Sequence, residues 1–491
     1  MSRVFSLKRS HRCALVGVPA LTLALSACVT RVPQALSPQS VPKNFVGQAK
    51  ESNRIWPAQD WWQGFGSAEL SDLVATAQRN NRDLAVAAAR VMEAHAQTTI
   101  QRATLFPQFN LQAQAQRAAV GGVPTATGPT AAQGNSFGLT VGASYEVDVW
   151  GLARSNLRSA EEALKSARFA QQSVALTVTA NVANAYFSVL ALRKRIAIAN
   201  EEIAAINGIL DTIKLKVSTG KSSHLDLAQE LAQVELAEAE LPVLEEQERE
   251  ARISLAVLLG ELPETFEVRA RNPDNVQPPL VTPGLPSDLL ARRPDVAQAE
   301  ANLASAHANL DAARAAFFPQ LALTGNGGFA STAVSALLHG PSVAWDIGGT
   351  LLQTVFDGGK LIGQKDLAKA TQQELVASYQ SAVLNAYADV ENALGQVTNS
   401  SRAETHLVSM IEAAREAFEI SQLQYRQGAT DFITVLQAQQ TLFSGEDQLA
   451  QTTLTRMQAV VHLYEALGGG WIEAPDDRTQ RTVAQTVGTR P

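Results

Sequence analysis

The sequence predicts a mainly helical chain with a small membrane β part, built from one structural unit that occurs twice. Alternating apolar and polar residues mark two β-hairpins, at residues 109–149 and 320–356. Long Ala-, Leu-, Glu- and Gln-rich runs separate and follow them, and the run at 152–218 contains no proline. The motif Phe106-Pro107-Gln108 recurs as Phe318-Pro319-Gln320, 212 residues later, which indicates a duplicated unit.

The amino terminus has the pattern of an export signal over residues 1–27. Four basic residues precede an apolar run at 13–25, which is shorter than the roughly 20 residues that a transmembrane helix needs. Removal of this segment changes the formal charge of the chain from −7 to −7 − 4 = −11. A chain this acidic is not expected to bind nucleic acid.

The first repeat is predicted over residues 67–260. It follows a tether at 28–66 that is rich in Pro, Ser and Gln and ends in several aromatic residues. A helix over 67–104 comes first, because apolar residues recur there at spacings of three, four and seven, with Ser67 in position to cap it.

The hairpin at 109–149 has one apolar and one polar face. Odd-numbered residues from Phe137 to Val149 are apolar and even-numbered ones are small or polar, and a Gly/Pro/Thr-rich loop is expected from Ala119 to Asn135. A strand in lipid needs every backbone polar group paired, as in a closed barrel, and the smallest membrane barrels have about eight strands. Four strands per chain cannot close, so strands in a membrane would have to be shared among several chains.

Two helices complete the first repeat, at 152–218 and 224–259, with Gly220 in the turn between them. At about 1.5 Å per residue the first of them would span roughly 100 Å, which indicates a rod rather than a globular domain. A Pro-rich connector follows at 261–286.

The second repeat is predicted over residues 287–470. It contains the hairpin at 320–356, a long helix, a turn at Gly428 and a last helix. Gly428 follows Gly220 by 208 residues, in keeping with the duplication. A loose tail is expected at 471–491, where no periodicity is found.

The end of the export signal resembles the lipobox of bacterial lipoproteins. It reads Leu25-Ser26-Ala27-Cys28, and the resemblance implies cleavage before the cysteine. Cys28 would then carry a covalent diacylglycerol on its sulfur and an acyl chain on its amine, and several chains anchor where one would not. Val29 in place of an aspartate implies sorting to the outer membrane.

Seven motifs in register across residues 28–470 carry a wider resemblance. They are the lipobox, Trp61-Trp62-Gln63-Gly64-Phe65, Leu105-Phe106-Pro107-Gln108, Leu285-Pro286-Ser287-Asp288-Leu289-Leu290-Ala291-Arg292-Arg293-Pro294-Asp295, Phe317-Phe318-Pro319-Gln320-Leu321, Phe356-Asp357-Gly358-Gly359 and Tyr425-Arg426-Gln427-Gly428. On these motifs the chain resembles the TolC-type outer membrane efflux ducts, and specifically the lipoprotein branch that serves tripartite multidrug pumps.

The resemblance implies a homotrimer in which twelve strands from three chains form one outer membrane β-barrel, continued by a periplasmic α-helical barrel. Such a duct passes drugs or other small toxic molecules to the outside from an inner membrane RND-type pump and a periplasmic adaptor protein. It does no chemistry of its own, so neither a catalytic residue nor a cofactor is implied beyond the lipid on Cys28. The implied partners are other copies of the chain, the adaptor, the pump and outer membrane lipid.

The resemblance also implies a gate at the helical turns that face the inner membrane, at Gly220 and Gly428. Residues just beyond these turns constrict the duct in this family, so Asp226, Thr434 and Gln437 are the gate candidates. Family members often carry Asp at the positions of Thr434 and Gln437, so an acidic ring at the second turn is not expected here. The alternative for Asp226 is a carboxylate that stabilises the start of its helix.

Two other functions stay open at the level of sequence. A type I secretion duct for proteins would share the same plan, although the lipobox and the motif at 285–295 favour small molecules. An envelope lipoprotein hydrolase would use Ser136, because Gly134-Asn135-Ser136-Phe137-Gly138 matches G-x-S-x-G, yet this string begins a strand. The seven His residues are scattered, so no metal site is expected.

Overall fold

A computed structural model describes residues 56–125, 128–271, 276–279 and 289–471. The helices and strands in chain order are α1 (Ala68–Asn80), α2 (Arg82–Ala103), β1 (Gln108–Thr125), β2 (Gly128–Val147), α3 (Leu152–Ser218), α4 (His224–Leu259), α5 (Pro294–Ala315), β3 (Gln320–Ser331), β4 (Val343–Leu352), α6 (Lys360–Gln427) and α7 (Phe432–Ala466). The order of helix, two strands, long helix and helix therefore occurs twice. The predicted export signal, Cys28 and almost all of the predicted tail lie outside the described residues.

The four strands form one antiparallel sheet in the order β1-β2-β3-β4. Gly142 of β2 pairs with Asn326 of β3, and Asn326 pairs with Asp346 of β4. The even-numbered, polar residues of these strands therefore lie in rows on one face of the sheet. The Asn326 side-chain amide donates to both carboxylate oxygens of Asp346, at 3.3 and 3.1 Å.

The loop expected from Ala119 to Asn135 is wrong, because both strands continue through most of it. The described ladder extends to Thr125 opposite Gly128, with a register shift between Val120 and Val123 that places one extra residue on β1. Glycine, proline and threonine are typical of turns. The hydrogen bonds of a β-ladder are made by backbone groups, however, so a strand can also contain these residues. Pro124 is tolerated because β1 is an end strand of the sheet, and Pro129 lies outside the part of β2 that pairs with β3.

Both hairpins end earlier than expected, at Val147 and Leu352. The residues just beyond each hairpin cap the helix that follows. Asp148 accepts hydrogen bonds from two backbone N–H groups at the start of α3, at 3.1 and 3.0 Å. Asp357 accepts three at the start of α6, between 2.9 and 3.1 Å. These carboxylates take up N–H groups that a first helical turn leaves unpaired.

The helix expected at 67–104 is two helices, since Asn81 between α1 and α2 has an extended backbone with φ −60° and ψ 133°. The Asn81 side chain accepts hydrogen bonds from two N–H groups of α2, while Ser67 caps α1 as predicted. The bounds expected for the next two helices coincide with α3 and α4. α4 continues through Pro242.

The largest apolar core is formed by α1, α3, α4 and α7 together with the aromatic residues before α1. Trp61 stacks on Tyr464 of α7 with ring centroids 5.0 Å apart, and Phe65 packs on Phe187 of α3 at 4.9 Å. α3 also contains an apolar stretch long enough to cross a membrane, but 56% of that stretch is buried within the chain. Its apolar character is therefore accounted for by the core.

Candidate gate at the helical turns

The turn between α3 and α4 and the turn between α6 and α7 share one backbone motif. Gly220 and Gly428 have φ values of 71° and 78°, a region that glycine adopts without strain. In each turn the glycine N–H donates to the carbonyl three residues earlier, and the next N–H donates to the carbonyl five residues before it. This is the Schellman arrangement that ends helices. We call residues 216–230 and 424–437 together the tip.

Asp226 holds the start of α4. Its backbone N–H donates to the Ser223 hydroxyl at 3.1 Å, and its carboxylate accepts from the Ser223 N–H at 3.2 Å, which is a capping box. The Ser222 hydroxyl donates to the same carboxylate at 2.6 Å. Partial burial acts to raise the pKa of Asp226, but the hydrogen bonds from Ser222 and Ser223 outweigh it and the pKa is lowered. Asp226 is therefore an ionised acceptor.

Tyr425 joins this cap to the other turn. Its hydroxyl lies 3.1 Å from the Ser222 hydroxyl, and because Ser222 gives its proton to Asp226, Tyr425 is the donor between them. Lys216 of α3 donates to the Tyr425 carbonyl near the end of α6, and its Nζ lies 3.8 Å from the centroid of the Tyr425 ring. A cation at this helix end is favourable. Ser222 and Lys216 therefore both reach from the first turn to Tyr425.

The second-repeat candidates lie elsewhere in the tip. The Thr434 N–H and hydroxyl donate to Asp431 at 3.0 and 2.6 Å, so Thr434 belongs to the cap of α7. These bonds lower the pKa of Asp431. Gln437 is exposed, one turn further along α7. The structure thus links Asp226 to α6, whereas Thr434 is tied to its own helix start.

Sequence reasoning missed the contacts that Ser222 and Lys216 make with Tyr425. Tyr425 was part of a family motif, and it lies three residues before Gly428, just as Lys216 lies four residues before Gly220. This placement at helix ends was a usable signal. The pairing of these residues across 203 and 209 positions was not visible in the sequence.

Ser136 does not have the setting of a hydrolase nucleophile. It lies within β2, paired with Gln116 of β1, and strand structure continues for eleven residues beyond it. A nucleophile elbow needs a sharp turn from a strand into a helix. Nothing in the described surroundings of Ser136 supplies that turn.

An open four-stranded sheet with one apolar face, continued by helices of 67 and 68 residues that end in matched glycine turns, is the fold of the TolC-like outer membrane channels. A family model described as "Outer membrane efflux protein" matches residues 73–261 and 285–469. The chain belongs to this outer membrane efflux protein family, and its function is that of the outer membrane component of an efflux pump.

Individual relatives agree with this assignment over nearly the whole chain. The chain is 36% identical over 469 residues to the pyoverdine export outer membrane protein OpmQ of Pseudomonas putida, covering 94% of this chain and 97% of the relative. It is 30% identical to the outer membrane protein OprJ of Pseudomonas aeruginosa, covering 93% and 96%. Among solved structures, the outer-membrane channel OprN is 28% identical with a TM-score of 0.84, covering 89% of this chain and 99% of that chain. The predicted fold class and family are confirmed.

Proposed function

We propose that three copies of the chain assemble into one duct that crosses the outer membrane and the periplasm. The observation that carries this proposal is the sheet, in which β1 and β4 are the ends and, among the described residues, each pairs with one neighbour. Unpaired strand edges are not tolerated in lipid, and three such sheets joined edge to edge would close a barrel. Trp345 and Ile347 of β4, 74% and 82% exposed, would then face lipid.

The duct would receive small molecules from an inner membrane RND-type pump through a periplasmic adaptor protein. Relatives that share the chain plan are named for pyoverdine export, for antibiotic efflux and for toluene efflux. These varied small cargoes support small-molecule export over protein secretion. They also support assigning the choice of cargo to the pump, with the duct supplying an aqueous path.

Cys28 is proposed to carry the diacylglycerol and acyl chains that anchor the amino terminus in the outer membrane. The support is the lipobox alone. We expect radiolabelled palmitate to attach to the wild-type protein and to be absent from Cys28→Ser. Label that persists in Cys28→Ser would rule out this site.

The tip is proposed as the gate, and its latch is the chain of hydrogen bonds from Asp226 through Ser222 to Tyr425. This chain ties the start of α4 to the end of α6. Parting the two turns would break it. Gly220 and Gly428 would keep the turns tight, and Thr434 and Gln437 would line the second turn with neutral groups. Asp226 thus has the structural role of a cap and is proposed to act in closure as well.

The latch predicts leaky channels when either end is removed. We expect Asp226→Ala to raise the open probability in planar bilayers about tenfold, because a charged acceptor with several donors is lost, and Tyr425→Phe to raise it about fivefold. Tyr379→Phe removes the same hydroxyl from α6 far from the tip and should leave the channel unchanged.

The protein purified for these bilayer recordings also tests whether three chains assemble. Protein purified from membranes should have the mass of three chains of 52.4 kDa or slightly less after removal of the signal. A monomer in detergent would contradict the proposed duct. Trimeric channels with wild-type opening in both latch variants would contradict the latch, but neither the tip as the gate nor the duct.

A further inference from the structure

Glu230 is a buried acid without a hydrogen-bond partner in the described part of the chain. It lies on α4, one turn beyond Asp226, and its side chain is 0% exposed. Neither carboxylate oxygen has a partner among the described residues. Such groups are rare in folded proteins and call for an explanation. Because a single chain already buries Glu230 completely, assembly of further copies cannot expose it.

The environment of Glu230 is apolar. Leu227 and Val234 lie one turn before and one turn after it on the same face of α4. Both pack in a cluster with Ile206 and Leu210 of α3. An ionised carboxylate is costly in such a place, whereas the neutral acid is tolerated far better.

Ionisable groups lie near this end of α4 on several helices, but none of the described residues forms a hydrogen bond with Glu230. These groups include Asp226 and His224 on α4, Tyr425 and Arg426 on α6, Lys216 on α3 and Asp431, which caps α7. Lys216 is committed to the carbonyl and ring of Tyr425. Burial raises the pKa of Tyr425, the hydrogen bond with Ser222 opposes this rise, and the charges that Asp226 and Glu230 carry at high pH add to it. Tyr425 and Glu230 therefore lie close enough to interact.

We propose that Glu230 is a proton-binding residue of the closed tip, which holds a proton while α4 is packed and releases it when the tip loosens and water reaches the carboxylate. The site takes a proton because no cation or hydrogen-bond donor of the described chain reaches it. It is distinct from the latch, since the Asp226 carboxylate is satisfied by Ser222 and Ser223. The inference rests on the proposed gate, because tip opening is what would hydrate Glu230.

The sign of the pH effect follows from the two states of the tip. Burial raises the pKa of Glu230 from 4.5 to about 7 in the closed tip, and hydration on opening would return it toward 4.5. Between these values the closed tip binds one more proton per chain than the open tip. The contribution of Glu230 to closure is therefore fully present below pH 4.5 and is lost as the pH rises to about 7. Between these limits the equilibrium constant for closure falls by about tenfold per pH unit and per chain.

The decisive variant is Glu230→Gln, which keeps the shape of the side chain and removes its titration. Trimers in planar bilayers would be measured from about pH 5 to about pH 8. We expect wild-type open probability to rise steeply with pH, and Glu230→Gln to stay closed and nearly independent of pH. Glu235→Gln makes the same change at an exposed position of α4 and should retain the wild-type pH profile.

Two outcomes separate the proton site from the latch. A pH profile that survives in Glu230→Gln overturns the proton site, even if Asp226→Ala and Tyr425→Phe open the channel. Loss of the pH profile in Glu230→Gln supports the proton site, even if the two latch variants behave as wild type and the latch is therefore wrong.

Infrared spectroscopy tests the proton directly and needs no channel activity. At about pH 6 the wild type should show the carbonyl stretch of a buried protonated carboxylic acid. Burial also raises the pKa of Glu202 on α3 to about 7, so part of the band belongs to that residue. The band should therefore be weaker in Glu230→Gln by the contribution of one carboxyl group and unchanged in Glu235→Gln. A band that is equal in all three proteins, or absent from the wild type, overturns the proposal.

Discussion

Replacing Gly468 by alanine should lower the free energy of unfolding by about 3 kcal/mol per chain, from a left-handed backbone and a steric clash acting together. Gly468 follows α7 with φ 84°. A Cβ there would overlap the backbone carbonyl of Arg292. Guanidinium unfolding of the detergent-solubilised protein, followed by tryptophan fluorescence, measures the loss.

The first repeat contains the same arrangement and provides a replicate. Gly260 has φ 70°, and a Cβ there would lie 2.6 Å from the carbonyl oxygen of Asn80. Asn80 precedes Arg292 by 212 residues, the offset of the duplicated motif. In the first repeat the glycine after α4 lies against the last residue of α1. In the second repeat the glycine after α7 lies against the backbone just before α5. We therefore expect Gly260→Ala to be destabilising for the same reason.

Gly428→Ala is the matched control for these variants. Its φ is 78°, but a Cβ there would meet nothing within 4 Å. We expect a loss of about 1 kcal/mol, from backbone strain alone. Equal losses of unfolding free energy in Gly468→Ala and Gly428→Ala would show that the contact with Arg292 is not what restricts position 468 to glycine.

Arg293→Ala should cost about 2 to 3 kcal/mol, because a buried cation that joins three acceptors is lost. The Arg293 guanidinium donates to Asp295 at 3.0 and 2.6 Å, to Asp389 at 3.0 Å and to the Ala466 carbonyl at 3.2 Å. Burial acts to lower the pKa of Arg293, but the two carboxylates outweigh it and the pKa is raised. The cost lies below that of a fully buried pair because the carboxylates are 42% and 50% exposed.

Two neighbouring changes test this account of Arg293. Arg292→Ala removes the adjacent guanidinium, which lies 4.6 Å from the Trp56 ring, and should cost about 1 kcal/mol or less. Arg293→Lys keeps the charge but loses the planar fork, so its stability should lie between wild type and Arg293→Ala. Unfolding free energies that do not differ between Arg292→Ala and Arg293→Ala would contradict the proposed role.

Local patterns were sufficient for most elements of the fold. The bounds of α3 and α4 follow from an unbroken helical composition between turn residues, and period-two alternation marks the strands. The same reasoning failed at residues 119–135, where glycine and proline suggested a loop and the backbone pairs instead. It also failed at Asn81, where one capping side chain divides a predicted helix into two.

Only part of the candidate gate could be predicted from the sequence. Gly220, Gly428 and Asp226 could be selected from turn chemistry and family likeness. Tyr425 and Glu230 could not be assigned a role, because a tyrosine and a glutamate are ordinary residues in any helix. Their importance lies in what surrounds them.

The sequence by itself determined the repeated plan, the helical rods, the two-faced strands and the membership of the family, since each is encoded by residues close together along the chain. The tertiary structure alone decided that Tyr425 meets Ser222 across 203 positions and that Glu230 has no hydrogen-bond partner among the residues that the structure describes. Contacts and burial of this kind depend on how distant helices pack. A residue's own identity and its local spacing carry no record of that packing.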